Sequence, residues 1–171
     1  MKIIGITQKL KVKTKIKIQE FPNEMPNKID CWHANLYKYG RKTGIIFVND
    51  LTRYSVLLFG MTKPQYSKII DLFLRQLKRN MSIDNFTSEE IEKFTSGFDK
   101  VKYTKTSSRS ILGTITDFLK FNDYSGEDLN DLSQDIIDEL NFSLNDMPVS
   151  PLAKEGFTPF PNRALKEYFR E

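Results

Sequence analysis

The chain has 171 residues, with 26 Lys and Arg, 22 Asp and Glu, and a single Cys and a single His. This composition excludes a disulfide scaffold, a collagen-like repeat and a zinc finger, which needs four Cys or His ligands. No apolar run approaches the roughly 20 residues that span a membrane, and no signal-peptide pattern is present. We therefore expect a cytoplasmic protein with a reduced cysteine, no cofactor and no membrane partner.

The net charge of +4 conceals an uneven distribution along the chain. Residues 1–116 carry a net charge of +11, residues 117–146 carry −8, and the last 25 residues carry +1. A basic region can bind a polyanion, and an acidic segment of the same chain can mask it. Ordinary solvated surfaces show the same patterns, so charge alone does not select between these interpretations.

Residues 9–18 alternate without interruption between lysine and an uncharged, mostly apolar residue. This period of two predicts a strand with its lysines on one face, about 6.5–7 Å apart. The lysines of this segment are Lys9, Lys11, Lys13, Lys15 and Lys17. Such a row protects a sheet edge from aggregation or attracts phosphate groups, and both interpretations stay open.

The sequence between residues 31 and 59 predicts three consecutive strands. They cover 31–38, 43–49 and 53–59, and the turns between them are short. Both faces of the second and third strands are apolar, which is typical of central strands that are covered on both sides. The short links favour an antiparallel meander. A further short strand is expected at residues 3–7.

The rest of the chain predicts helices and one strand. Apolar residues three and four apart indicate a helix around residues 66–77. A capping box at Thr87-Ser88-Glu89-Glu90 indicates a short helix that ends near Gly97. The remaining expected elements are a strand at 100–104, a helix that Ser107 or Ser108 caps, a helix at about 127–141, an extended proline-rich connection at 145–161 and a last helix at 162–170.

These elements predict one α+β domain over residues 1–171. We expect an antiparallel sheet of four to six strands, from the N-terminal half and the strand near 100–104, packed against four or five helices. Residues 1–60 are expected to be mainly β and residues 62–142 mainly helical. Residues 143–171 are expected to hold the proline-rich connection and the last helix.

Cys31 and His33 share one face of a predicted strand. Such proximity suits a nucleophile with its base or two ligands of a soft metal. The spacing of about 6.5–7 Å is long for a direct hydrogen bond, and a histidine bonded within the sheet is the simpler interpretation. Carboxylates three and four residues apart suit a hard cation or a solvated helix face, and we assign no metal site. These carboxylates are Asp128, Asp131, Asp135, Asp138 and Glu139.

Several short segments resemble a bacterial family that is catalogued only as domain of unknown function 6933. They are Ile6-Thr7-Gln8-Lys9-Leu10, Trp32-His33-Ala34-Asn35-Leu36, Gly40-Arg41-Lys42, Phe47-Val48-Asn49-Asp50, Arg53-Tyr54, Tyr103-Thr104-Lys105-Thr106, Ser108-Arg109-Ser110 with Leu112-Gly113, and Leu144-Asn145-Asp146-Met147-Pro148. The segments occur in the family's order over nearly the whole chain. The resemblance implies a single-domain cytosolic bacterial protein and implies no activity. The lysine row after Leu10 is less like the family.

Our first functional hypothesis is a non-enzymatic module that binds an anionic partner, either nucleic acid or an acidic protein surface. The candidate contacts are Arg41, Lys42, Arg53, Lys105 and Arg109, with Lys9, Lys11, Lys13, Lys15 and Lys17 adding non-specific attraction. Arginine can hold a phosphate or a carboxylate through two parallel hydrogen bonds. Tyrosines at positions 37, 39 and 103 lie among these bases, as stacking on single-stranded nucleic acid requires.

Two other hypotheses stay open. One is an enzyme in which His33, Asn35, Asp50 and Arg109 supply acid–base and anion-stabilising chemistry. It requires an accessible pocket around His33. The other is a regulatory partner in a toxin–antitoxin, phage-defence or mobile-element system, which no residue pattern selects.

Overall fold

A five-stranded mixed sheet lies at the centre of the computed structural model, which describes residues 1–39, 42–124 and 133–170. The strands are β1 (Lys2–Ile6), β2 (Cys31–Tyr39), β3 (Lys42–Asn49), β4 (Ser55–Leu58) and β5 (Val101–Lys105). The α-helices are α1 (Gln8–Thr14), α2 (Ile69–Ile83), α3 (Ser88–Thr95), α4 (Arg109–Tyr124), α5 (Gln134–Asn145), α6 (Pro151–Lys154) and α7 (Pro161–Arg170), with 3-10 helices at Lys28–Asp30 and Lys63–Lys68. The predicted α+β class is confirmed.

The sheet has the order β4-β3-β2-β1-β5 and combines two kinds of pairing. β2, β3 and β4 form the predicted antiparallel meander. β1 is parallel to both β2 and β5, so the prediction of a purely antiparallel sheet is wrong. A crossover between parallel neighbours needs a dozen or more residues, and residues 7–30 supply the one from β1 to β2. Residues 59–100 carry the chain from β4 at one edge of the sheet to β5 at the other.

The predicted lysine-rich strand at 9–18 is also wrong, because its first part forms α1. Thr7 caps this helix by accepting a hydrogen bond from the Leu10 backbone, and Lys15 ends it in the left-handed conformation. A strand would bury its apolar row, yet Leu10 is fully buried and Val12 is 67% exposed. Beyond α1, the Gln19 backbone donates a 2.7 Å hydrogen bond to the Tyr103 carbonyl at the edge of β5.

Two helix boundaries differ from the sequence-based expectation. α5 continues to Asn145, four residues past the predicted end, and Ser133 caps its start. Residues 125–132, with Asp128 and Asp131, lie outside the described part of the chain. The connection at 145–161 is interrupted by α6, whose first residue is Pro151, a position where proline is well tolerated. The predicted capping box of Thr87 and Glu90 is confirmed.

Hydrophobic cores cover both faces of the sheet. On one face α1, α2, α3 and α7 pack around Trp32, Phe47 and Phe73. On the other face α4, α5 and α6 pack against Ile46 and Val48. Alternate residues of β2 therefore face different cores, as their order predicts.

Two asparagines of α5 cover the outer edge of β4. The amides of Asn141 and Asn145 each accept from a backbone N–H and donate to the carbonyl of the same β4 residue, Leu57 and Ser55 respectively. The two Leu57 distances are 2.7 and 3.0 Å. Four residues of helix rise about 6 Å and two residues of strand about 6.7 Å. Because the two spacings match, the asparagine side chains take the place of a sixth strand. They satisfy the backbone groups of an edge that could otherwise pair with another chain.

We predict that Asn141→Ala destabilises the protein by about 2–4 kcal/mol. The change leaves the buried N–H and C=O of Leu57 without partners, and each such group costs about 1–3 kcal/mol. Urea unfolding measures the effect. Glu139→Ala, an exposed change on the same helix, should alter stability by less than about 0.5 kcal/mol. Equal effects from the two substitutions would contradict this account of the edge.

Candidate functional site

His33 connects three separate segments of the chain. It lies on β2 between Gly5 and Val48 of the neighbouring strands. Its Nδ1 is 2.7 Å from Asp50 Oδ1, and its Nε2 accepts from the backbone N–H groups of Ser107 at 3.0 Å and Ser108 at 3.3 Å. Because Nε2 acts as the acceptor, Nδ1 carries the ring proton, and this N–H donates a hydrogen bond to Asp50. Both nitrogens are thus engaged within the fold.

Gly5 provides the space that the imidazole needs. A Cβ atom at this position would lie 3.2 Å from the His33 ring and 3.3 Å from the Lys105 carbonyl oxygen. Both distances are tighter than ordinary van der Waals contact. The glycine therefore allows the chain after β5 to approach β2 closely enough for the Ser107 and Ser108 amides to reach the ring.

Arg53 completes the same buried region. It has a positive φ of 60°, and its Nη1 donates to the backbone carbonyl of Asp50 while Nη2 lies 3.4 Å from Ser110 Oγ. Burial lowers the pKa of Arg53, and the nearby Asp50 carboxylate counters this effect. At 3% exposure the side chain is not available for a large partner. It stabilises the turn between β3 and β4.

We call this region the His33 junction: His33, Asp50, Arg53 and residues 107–110. The junction joins the sheet, the β3–β4 turn and the start of α4, where Ser108 accepts a hydrogen bond from the Ile111 backbone. His33 is 2% exposed, so the junction is a packed contact and not a cleft around a free imidazole. Asn35 lies outside it and accepts a 2.6 Å hydrogen bond from the Thr7 hydroxyl.

Cys31 is poorly suited to nucleophilic chemistry. Burial, followed by the charges of Asp50 and Asp30, raises the pKa of its thiol to about 12. The thiolate is the reactive form, and at pH 8 such a group is ionised in roughly one molecule in ten thousand.

We predict that native Cys31 reacts with iodoacetamide at pH 8 at least about 100-fold more slowly than the same thiol in urea, because the fold suppresses the thiolate. Mass spectrometry of the time course measures both rates. Rapid labelling of the native protein would restore Cys31 as a candidate nucleophile.

We also predict that His33→Ala lowers the free energy of unfolding by roughly 3 kcal/mol. The substitution leaves a small cavity and removes the acceptor from two backbone N–H groups. Urea unfolding of Lys38→Ala, an exposed change on the same strand, provides the control. If the two variants are equally stable, the His33 junction is not an important structural contact.

A lysine-rich surface, here called the α1 surface, lies elsewhere on the molecule. Its nine lysines are Lys9, Lys11, Lys13, Lys15, Lys17, Lys38, Lys63, Lys68 and Lys105. All are exposed except Lys11, which is half-buried. Shallow depressions around α1 connect eight of them: Lys38 shares one with Lys9 and Lys13, Lys17 shares another with Lys11 and Lys15, and Lys63 and Lys68 share a third with Lys13 and Lys15. Lys105 lies beside Ile6 at the end of β5 and lines a depression with Ile18. Within the described ranges, no carboxylate oxygen lies within 4 Å of these ammonium groups.

The topology explains why these lysines come together. β1, β2 and β5 are parallel, so their carboxyl ends meet at one edge of the sheet. α1 follows β1 directly, Lys38 lies near the end of β2, and Lys105 ends β5. Sequence analysis missed Lys38, Lys63 and Lys68, because only the folded chain brings them near α1.

The remaining predicted binding residues are dispersed. Arg109 is the exposed first residue of α4, and Lys42 is the half-buried first residue of β3. Arg41 lies outside the described residues. Arg53 belongs to the His33 junction and not to the α1 surface.

The chain belongs to the family described as domain of unknown function (DUF6933), whose model matches residues 3–161. Comparisons with curated proteins and with solved structures find no match. Among the described residues, no group of three or more His, Cys, Asp or Glu side chains is arranged to hold a metal ion. In the same part of the chain, no helix has the length and apolar character to cross a membrane.

Proposed function

We propose that the protein is a non-enzymatic module that binds an anionic partner through the α1 surface. The observation that carries the proposal is the concentration of nine lysines around α1 without an ion-pair partner in the described chain. Like charges held close together destabilise the free protein, and a polyanion relieves this repulsion as it releases counterions.

Nucleic acid fits this surface better than an acidic protein does. The surface is composed of lysines, which act as point charges and contact phosphates without demanding one geometry. Protein interfaces are depleted in lysine and favour arginine, whose planar group pairs with carboxylates. Arg53 and Arg109, the described arginines among the predicted binding residues, do not belong to the α1 surface.

The described acidic residues of α5 leave the α1 surface uncovered. Asp138 of α5 pairs with Arg79 of α2 at 2.6 Å and accepts from Gln76 and Gln134. These bonds lower the pKa of Asp138 although burial opposes them. The described acidic residues of α5 make no ion pair with the lysines around α1.

The alternatives have weaker support. An enzyme centred on His33 would need a free ring nitrogen, whereas Nε2 accepts from two backbone N–H groups and Nδ1 bonds Asp50. A regulatory partner of a toxin–antitoxin, phage-defence or mobile-element system is compatible with the α1 surface, but no contact favours it.

The test is fluorescence anisotropy with a labelled ten-nucleotide thymidine strand at several salt concentrations. We expect the logarithm of the binding constant to fall linearly with the logarithm of salt, by about 0.7 per neutralised phosphate. The variant Lys9→Ala/Lys11→Ala/Lys17→Ala should bind roughly tenfold more weakly at low salt and show a shallower slope.

The matched control is Lys78→Ala/Lys100→Ala/Lys120→Ala, which removes the same charge from exposed lysines outside the α1 surface. It should change affinity by less than about threefold, since distant exposed charges are screened. Equal weakening by both triple variants, or a flat salt response, would refute the proposal. Preference for polyglutamate over the strand would assign the surface to an acidic protein instead.

A further inference from the structure

A cavity of about 560 Å³, widely open to solvent, lies beside the end of α1. Three parts of the fold line it: residues 13–16, residues 63 and 66–71 around the start of α2, and Tyr103 of β5. A volume of this size lies within the range of small-molecule sites. The cavity lies where the connection between β1 and β2 packs against the connection between β4 and β5.

The wall of the cavity combines cationic and apolar parts. Lys13, Lys15, Lys63 and Lys68 are its exposed bases, and Asp71 is its one acid. The left-handed backbone of Lys15 turns the chain at the end of α1 and leaves this lysine beside the cavity. Buried or half-buried apolar residues form the rest of the wall: Ile16, Ile69 and Ile70, with Tyr66 and Tyr103.

The two tyrosines provide uncommitted polar groups in this wall. Tyr66 is 8% exposed, and its hydroxyl, which is not fully buried, makes no hydrogen bond to any residue in the described ranges. The Tyr103 hydroxyl likewise has no partner there. Burial raises the pKa of Tyr66 and raises that of Tyr103 to about 12, and tyrosine is neutral near pH 7 in any case. The neutral Tyr66 hydroxyl can donate to an anion without repelling it, and the ring of Tyr103 offers an aromatic face.

We propose that this cavity binds one nucleoside phosphate unit, with the phosphate among Lys13, Lys15, Lys63 and Lys68 and the base against Tyr103 and the apolar wall. The ligand needs an anionic group to match the lysines of the wall and a flat apolar body to match its isoleucines and tyrosines. This inference rests on the proposed function, since it identifies the place where a single-stranded nucleic acid inserts one of its nucleotides.

The surroundings of the cavity favour a nucleotide within a strand over a free one. Lys15 and Ile16 also line the next depression, together with Lys11 and Lys17. Phosphates on one side of the inserted nucleotide would therefore continue along the α1 surface. Aromatic stacking combined with a lysine track is the usual means of binding single strands without sequence readout.

The decisive experiment compares the thymidine strand with an abasic strand of the same length, which retains the phosphates. Lys63→Ala/Lys68→Ala should weaken binding of both strands roughly tenfold. Tyr103→Leu should weaken only the strand that carries bases, roughly fivefold or more. Tyr103→Phe keeps the ring and should bind within about twofold of the unchanged protein.

Lys78→Ala/Lys120→Ala is the charge-matched control, and urea midpoints verify that the variants are folded. If Tyr103→Leu does not fold, the unchanged protein decides the question: it should bind the abasic strand roughly fivefold or more weakly than the thymidine strand, and equal binding would overturn the base site. Thymidine monophosphate serves as a competitor: displacement at low millimolar concentration supports a free nucleotide as ligand, and strand binding without displacement supports the strand.

The outcomes separate this inference from the proposed function. Salt-dependent strand binding that the double variant and Tyr103→Leu alter no more than the control would overturn the cavity site and leave the α1 surface in place. Failure of every strand to bind, at low salt as well, would overturn both. If Tyr103→Leu weakens the thymidine strand and the abasic strand equally, the base does not bind in the cavity.

Discussion

The imidazole of His33 makes the contacts on which the sheet face covered by α4, α5 and α6 depends. It accepts from the Ser107 and Ser108 amides just before α4 and donates to Asp50 in the β3–β4 turn, so it holds two distant segments against β2. In a buried environment each of these polar groups would be costly without its partner. These bonds hold Ser108, which caps α4, beside β2. Ile111, Ile115 and Phe118 of α4 then pack into the core on this face of the sheet.

The tertiary structure separates the two sets of residues that the sequence offers as functional candidates. His33, Asp50 and Arg53 have the residue types of a catalytic site, but they bond to one another and to backbone groups. The lysines around α1 are exposed except for the half-buried Lys11, and they have no carboxylate partners in the described chain. Many of the segments that resemble the family meet at the His33 junction, which indicates a structural role for that pattern.

The meander, the capping box and most helix positions could be predicted because local patterns specify them. Short runs of β-forming residues between 31 and 59 predict three strands, and their short links favour an antiparallel meander. Thr87 and Glu90 satisfy each other's backbone groups within one turn of helix. The division of β2 into Trp32 on one face and His33 on the other follows from the period of a strand.

Residues 9–18 show where local patterns fail. Their alternation fits a strand well, but β1 and β2 are parallel and the chain between them must cross over the sheet. A short helix with Leu10 inward accomplishes this crossing, and the lysines then spread around α1 instead of forming one row. The partners that determine this outcome are about 20 residues or more away, and no local window contains them.

The sequence by itself determined the class of fold, the strands of the meander and a basic N-terminal half. It also placed His33 within the segments that carry the family resemblance, and Cys31 directly before one of them. Only the tertiary structure decided that these residues are buried, that Lys63 and Lys68 join α1, and that Tyr66 and Tyr103 face a common cavity. The physical reason is that burial and proximity depend on long-range strand pairing, whereas periodicity and capping depend on neighbours along the chain.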